Sequence, residues 1–258
     1  DLMQAYYGRN GECPMPVLAS STPSDCFEMA FEAVRIAIQH MTPVILLSDG
    51  YIANGSEPWK YPTAADLPEI KVEFKSATDF TDTTYQPYAR DEKGARAWVI
   101  PGTAGLEHRI GGLEKQNITG NISYDPANHQ TMVKIRQEKI DKIAQYIPDQ
   151  QLDSGPEKGK VLVLGWGSTF GAIKSACIEL QAKGMSVSHA HLKYIRPFPK
   201  NLGDIISNFD KVLIPELNNG QLIRIIRDQY LIDAQGYNKI MGVPLTKKEL
   251  VEAISEMF

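Results

Sequence analysis

The chain has 258 residues, 43% of them hydrophobic and 22% charged, with a formal net charge of −4. That size and composition suit one large globular domain or two modest ones, and the acidic balance gives no electrostatic footing for nucleic acid. No apolar run reaches the roughly 20 residues of a membrane span, so no membrane partner is expected. Three scattered cysteines, Cys13, Cys26 and Cys177, with no C-x-x-C pair, argue against a disulfide framework, a zinc site or an iron–sulfur cluster held by this chain alone. They point to a reducing, cytoplasmic compartment.

The chain begins Asp1-Leu-Met-Gln-Ala, without an initiator Met and within an apparent helix, as expected of part of a longer polypeptide. Pro16–Ala19 reads as a short strand. Ser24 and Asp25 open a helix, Asp25 and Glu28 being spaced as a capping box. Its predicted apolar face is Phe27, Ala30, Phe31, Val34, Ile38 and Met41. Thr42-Pro43 stops it, Val44–Leu47 is a buried strand, and Ser48-Asp49-Gly50 turns. Strand, helix, strand in this order predicts a parallel α/β layer. Residues 57–127 are punctuated by prolines and carry weak periodicity, which predicts an ordered excursion of loops and short strands that shapes a site or an interface. A helix rich in Lys and Glu starts at Pro126, with Met132, Val133, Ile135, Ile140, Ile143 and Ile147 apolar. Residues 148–159 read as a linker, dividing the chain into units 1–149 and 159–258.

The second unit alternates cleanly. Lys160–Leu164, Ser186–Leu192, Lys211–Ile214 and Lys239–Met241 read as strands. Thr169–Lys183, Leu202–Asn208 and Gly220–Tyr230 read as helices, and Thr246 caps a last helix with Glu249 three residues on. The first strand ends in Gly165-Trp-Gly167-Ser-Thr-Phe-Gly171. This is one residue longer than the dinucleotide fingerprint G-x-G-x-x-G, and the next strand ends in Lys193-Tyr194 where the fingerprint expects an acid. Both tests speak against NAD or FAD. Ser168 and Thr169 sit at a helix start that attracts anions, while Ser168 as a simple cap is the structural alternative.

Several motifs together resemble a known family. Tyr7-Gly-Arg-Asn-Gly-Glu12, Pro16–Ala19, Asp25-Cys-Phe27, Glu32–Ala37, Thr42–Gly50, Glu57-Pro-Trp59, Pro101-Gly102 and Gly105–His108 are similar to the alpha subunit of 2-oxoacid:ferredoxin oxidoreductases, the 2-oxoglutarate type above all. Gly167–Ala172, Pro197-Phe-Pro199 and Glu216–Leu222 continue the likeness in the second unit. The resemblance implies an incomplete pyrimidine-type thiamine-diphosphate domain, of parallel-sheet α/β class, followed by a transketolase C-terminal-like α/β domain. It implies oxidative decarboxylation of a 2-oxoacid with coenzyme A to acyl-CoA and CO2, with ferredoxin reduced. Thiamine diphosphate would be shared with a beta subunit that carries magnesium and the iron–sulfur cluster. Gamma and delta subunits are further candidate partners, in a dimer of heteromers. The catalytic residues, including the acid that contacts the pyrimidine, are implied to lie upstream of Asp1. Two positions depart from the family pattern: Arg109-Ile110 stands where many relatives are acidic, and Asn10 where many have His. Without the resemblance, the residues also allow a non-catalytic α/β binding or scaffolding module, or a nucleotide-dependent dehydrogenase.

Candidate binding residues follow from their chemistry. Arg9 in a glycine-flanked loop, beside Asn10, suits a carboxylate or phosphate, and an ion pair is the plainer reading. Asp49 follows a buried strand at the edge where open α/β sheets place ligands; a turn-forming role is the alternative. His108 in a polar loop suits proton transfer or hydrogen bonding to substrate, or loop packing. Ser168 and Thr169, with Asn218, Asn219 and Gly220 after a later strand, are expected on one carboxyl edge, as a coenzyme A or subunit contact. His189 and His191 share a strand face, with no third metal ligand evident.

Overall fold

The computed structural model of the chain describes residues 1–80 and 84–258. Residues 81–83, inside the expected excursion, lie outside that description. The first unit holds α1 (Leu2–Tyr7), β1 (Val17–Ala19), α2 (Asp25–Gln39), β2 (Ile45–Leu47) and α3 (Gly50–Asn54). The excursion follows, and α4 (Pro126–Lys142) closes the unit. Then come β3 (Leu152–Ser154), β4 (Gly159–Trp166), α5 (Phe170–Ala182), β5 (Val187–Leu192), β6 (Tyr194–Arg196) and α6 (Leu202–Ser207). β7 (Phe209–Glu216), α7 (Leu222–Tyr230), β8 (Gln235–Asn238) and α8 (Lys247–Ser255) complete the chain.

β1 and β2 pair in parallel across α2, as the strand–helix–strand pattern predicts. The larger sheet has the order β3-β5-β4-β7-β8, all parallel except β3. Both faces of β4 are buried, so its apolar run is continuous rather than alternating. Leu162 and Leu164 face one core with α6 and α7, and Val161 and Val163 face another with α5 and α8. The Thr246–Glu249 capping box of α8 forms as predicted.

The two sheets are stitched together. β5 runs through Lys193 directly into β6, which leaves the large sheet and pairs antiparallel with β1. Leu2 and Ala5 of α1, with Val17 and Ala19 of β1, share one core with β4, β5, β7 and α7. The segment 148–159 is ordered rather than a free linker: Leu152–Ser154 forms β3 against β5, and Ser188 Oγ donates to Pro156 O at 2.6 Å.

Several local expectations need correction. The Asp25–Glu28 capping box does not form. Glu57, from the excursion, accepts the Ser24 N–H instead (2.6 Å), while Asp25 is 5% exposed and bound to Ser21 and Lys193. The buried face of α2 is Met29, Ala33 and Ile36 against Leu18 and the end of α4, whereas Phe27 and Val34 are exposed. β2 is an edge strand and only half-buried. The last strand is Gln235–Asn238, not Lys239–Met241. It is a polar edge strand with no apolar run to mark it, and Ile240 and Met241 are exposed.

Candidate functional site

The carboxyl ends of β2, β4 and β7 converge. Asp49 follows β2, Gly167–Thr169 follow β4, and Leu217 and Asn218 follow β7. Beside them, between the residues after β2 and the start of α5, opens a cleft of ≈ 670 Å³, of the size usual for small-molecule sites. Its walls are the Ser21–Pro23 loop, α3, the start of α5 and the Pro244–Lys247 segment. A smaller cavity of ≈ 180 Å³ adjoins it and is lined by Asp49, Ser168, Thr169, Asn218 and Gln221. Ser168 lines both.

Local sequence explains each position. Asp49 caps α3, its Oδ1 accepting from Tyr51 N and Ile52 N at 3.0 Å. Its Oδ2 faces the turn after β4, 3.9 Å from where a Cβ on Gly167 would sit. Gly167 has φ +61, a backbone shape that suits glycine. Gly165 is glycine for space: a Cβ there would meet Ile173 Cδ1 at 2.5 Å and His191 Nδ1 at 2.7 Å. The glycine-rich turn therefore serves a tight corner and close packing.

Ser168 is not a cap. Its buried hydroxyl has no partner among the described residues, while Thr169 Oγ1 donates to Trp166 O at 2.8 Å. An unsatisfied buried hydroxyl costs free energy unless a ligand or water completes it, so Ser168 offers an open donor and acceptor where the two cavities meet.

Beneath this edge lies Glu216, fully buried. Its Oε1 accepts from Trp166 Nε1 (3.2 Å), Asn218 Nδ2 (3.1 Å), Gln221 N (3.2 Å) and Leu222 N (2.8 Å). Its Oε2 accepts from Ile223 N at 3.2 Å. The carboxylate thus satisfies the free N–H groups that open α7 and complements the helix dipole. Gln221 Oε1 in turn accepts from Met3 N at 3.1 Å, tying α1 to the same corner. Sequence reasoning missed Glu216 as an organiser. The available signal was an acid at the end of a buried strand, six residues before the start of a helix.

The other candidates lie apart from the cleft. Arg9 donates to the carbonyls of Ala5 (2.6 Å), Tyr6 (3.1 Å) and Cys13 (2.8 Å), closing the end of α1. Asn10 is exposed in the loop beside it. His108 Nδ1 is 2.9 Å from Leu106 O, and its ring meets Tyr85 edge-on at 5.7 Å. Gly220 has φ +72 in the turn before α7. His189 and His191 do share a face, Nε2 to Nδ1 at 3.3 Å, and His191 Nε2 lies 2.9 Å from Gly167 O. Burial pushes both imidazoles well below their ordinary range, His191 to about 4. They are neutral packing groups under the turn.

The cleft can bind and orient, but it holds no nucleophile–base pair. Among the described residues its lining carries one ammonium, Lys247, paired with Glu179 at 2.8 Å. The described residues contain no group of three or more His, Cys, Asp or Glu side chains suited to a metal ion.

Residues 1–123 match the family model described as pyruvate flavodoxin/ferredoxin oxidoreductase, thiamine diphosphate-binding. Residues 159–246 match pyruvate:ferredoxin oxidoreductase core domain II. The chain is 52% identical over 251 residues to the 2-oxoglutarate oxidoreductase subunit KorA of Mycobacterium tuberculosis, covering 97% of this chain and 38% of that protein. It is 28% identical to subunit alpha of the 2-oxoacid:ferredoxin oxidoreductase 1 of Aeropyrum pernix, covering 100% of this chain and 40% of that one. Among solved structures it superposes on the 2-oxoglutarate:ferredoxin oxidoreductase of Magnetococcus marinus, determined with 2-oxoglutarate, coenzyme A and succinyl-CoA bound. The TM-score is 0.91 at 28% identity, over 100% of this chain and 44% of that chain. The chain thus spans about two fifths of the length of these relatives.

Proposed function

The chain belongs to the 2-oxoacid:ferredoxin oxidoreductase family as an alpha-type subunit, and from this premise we propose that it forms one half of the active site of a 2-oxoglutarate-oxidising complex. The observation that carries the reading is the superposition along the whole chain on a relative whose structure holds 2-oxoglutarate and coenzyme A. The overall reaction converts a 2-oxoacid and coenzyme A to acyl-CoA, CO2 and a proton, with two electrons passing to two ferredoxins.

The residues of this chain set a division of labour. Thiamine diphosphate, when bound, supplies the stabilisation of negative charge that the loss of CO2 demands. The described residues offer its diphosphate no metal ligands, and we assign that end of the cofactor and its magnesium, with the iron–sulfur cluster, to a beta subunit. This chain contributes the walls: the α3 and α5 starts with their exposed backbone, the Ser168 hydroxyl, and the apolar surfaces of Tyr51, Ile52, Phe170 and Leu245. Such a lining excludes water and orients a long, mostly uncharged arm or a partner segment. Coenzyme A reaches the cleft through that arm, with Ser168, Thr169, Asp49 and Asn218 at its inner end.

Co-purification tests the assignment. Expressed with its neighbouring subunit, the chain is expected in a brown complex containing iron, acid-labile sulfide and thiamine diphosphate. A colourless chain that never retains a second subunit would remove it and leave the scaffolding alternative standing.

A further inference from the structure

A third cavity, also ≈ 180 Å³, lies apart from both the cleft and its neighbour, between α4 and residues 88–96. The chain carries net negative charge, yet four cations line this space: Arg90, Arg96, Arg136 and Lys139. Local structure brings them together. Arg90 and Arg96 are directly opposite in an antiparallel bridge, closed by a turn in which Gly94 N donates to Asp91 O. Gly94 has φ +78, and a Cβ there would sit 3.2 Å from the Lys139 side chain. The turn therefore lies flat on α4, where Arg136 and Lys139 are neighbours at i and i+3. The guanidinium carbons of Arg96 and Arg90 stand 4.6 and 5.8 Å from the centroid of Tyr88.

Gathering four like charges, with Arg90, Arg96 and Lys139 half-buried and Arg136 exposed at the rim, is unfavourable unless something offsets it. Among the described residues no carboxylate lies within salt-bridge distance of any of the four. Carbonyls take only part of their hydrogen-bonding capacity. Arg90 donates to Tyr88 O and Asn117 Oδ1 at 2.8 Å, and Lys139 Nζ to Met41 O at 3.0 Å. Arg96 reaches only Pro87 O, at 3.5 Å. Burial, with Arg96, Arg90 and Arg136 nearby, lowers the Lys139 ammonium to about 8.

We propose that the cavity between residues 88–96 and α4 binds a phosphate-class oxyanion, with Arg96, Arg136 and Lys139 donating to it over the Tyr88 ring. The space holds one phosphate group but no whole nucleotide. The ion is therefore either free or the end group of a larger ligand whose remainder stays outside.

Calorimetric titration of the full chain, in the complex with which it purifies, tests this. The probes are inorganic phosphate and adenosine 3′,5′-bisphosphate, against chloride at matched ionic strength. Saturable binding is expected, weakened about tenfold by Arg136→Gln or Arg96→Gln and unchanged by Lys134→Gln on the same helix. Tighter binding of the bisphosphate assigns the group to a larger ligand, and equal affinity assigns it to the free ion. Arg136 makes no side-chain hydrogen bond among the described residues, so its replacement does not endanger the fold. Absence of saturable binding, affinity untouched by both variants, an equal response to chloride, or a partner carboxylate filling the cavity in the assembled complex would each overturn the proposal.

Discussion

Glu216 shows what one buried carboxylate does here. Five N–H groups from the end of β4, the turn after β7 and the start of α7 converge on it. Glu216→Ala strands them in a dry corner, and several unsatisfied donors cost about 3–5 kcal/mol. Urea denaturation should show that loss, with a milder one for Glu216→Gln, which keeps one acceptor oxygen; an unshifted midpoint for Glu216→Ala would contradict the network. The histidines set a pH dependence. His40 is fully buried, its ring nitrogens without a hydrogen-bonding partner among the described residues, and burial lowers it from 6.5 to about 4; His191 is lowered to about 4 likewise. The unfolded chain binds these protons first as pH falls, so stability is full above pH 6.5 and drains away toward pH 4. For His40 alone the loss is on the order of 3 kcal/mol. Carboxylates act in a lower window: hydrogen bonds from Lys183 and Lys247 hold Glu179 at about 2, and Lys239 with Thr246 holds Glu249 there. Their contribution persists down to about pH 4.5. A urea midpoint that is flat between pH 7.5 and 5 would refute the histidine account.

At the scale of elements, α2 separates what periodicity reveals from what it hides. Its existence was legible from apolar spacing, but the buried face was not, because Phe27, Ala30 and Val34 also recur at helical intervals. The true face, Met29, Ala33 and Ile36, is set by where Leu18, Ile140 and Ile143 lie, and nothing local encodes that. The cap was hidden for the same reason, since Glu57 acts from 33 residues away. The placement of Ser168, Thr169 and Asn218 at one carboxyl edge was legible, since strand–turn–helix grammar puts such residues there, but their meeting with Asp49, which follows a strand of the other sheet, was not. The polar edge strand β8 was not. Thermal unfolding tests the register of α2: Ile36→Ala is expected to cost about 2–5 kcal/mol, and Val34→Ala less than about 0.5 kcal/mol. Equal losses at the two sites would mean that the helix faces otherwise.

At the scale of the molecule, the continuity of β5 into β6 and the docking of α1 join the two sheets through one core. The cleft at their common edge is therefore held by both, and its walls are fixed relative to each other. Among the described residues it holds neither an acid–base pair nor diphosphate ligands, and the proposed complex brings a second subunit to it. The most direct measurement is reduction of a viologen dye by the complex of this chain with its neighbouring subunit. The account predicts reduction that needs 2-oxoglutarate, coenzyme A and thiamine diphosphate together, and that stops when any one is withheld. Dye reduction by the isolated chain, or none from an iron-loaded, thiamine-replete complex given all three, would contradict it.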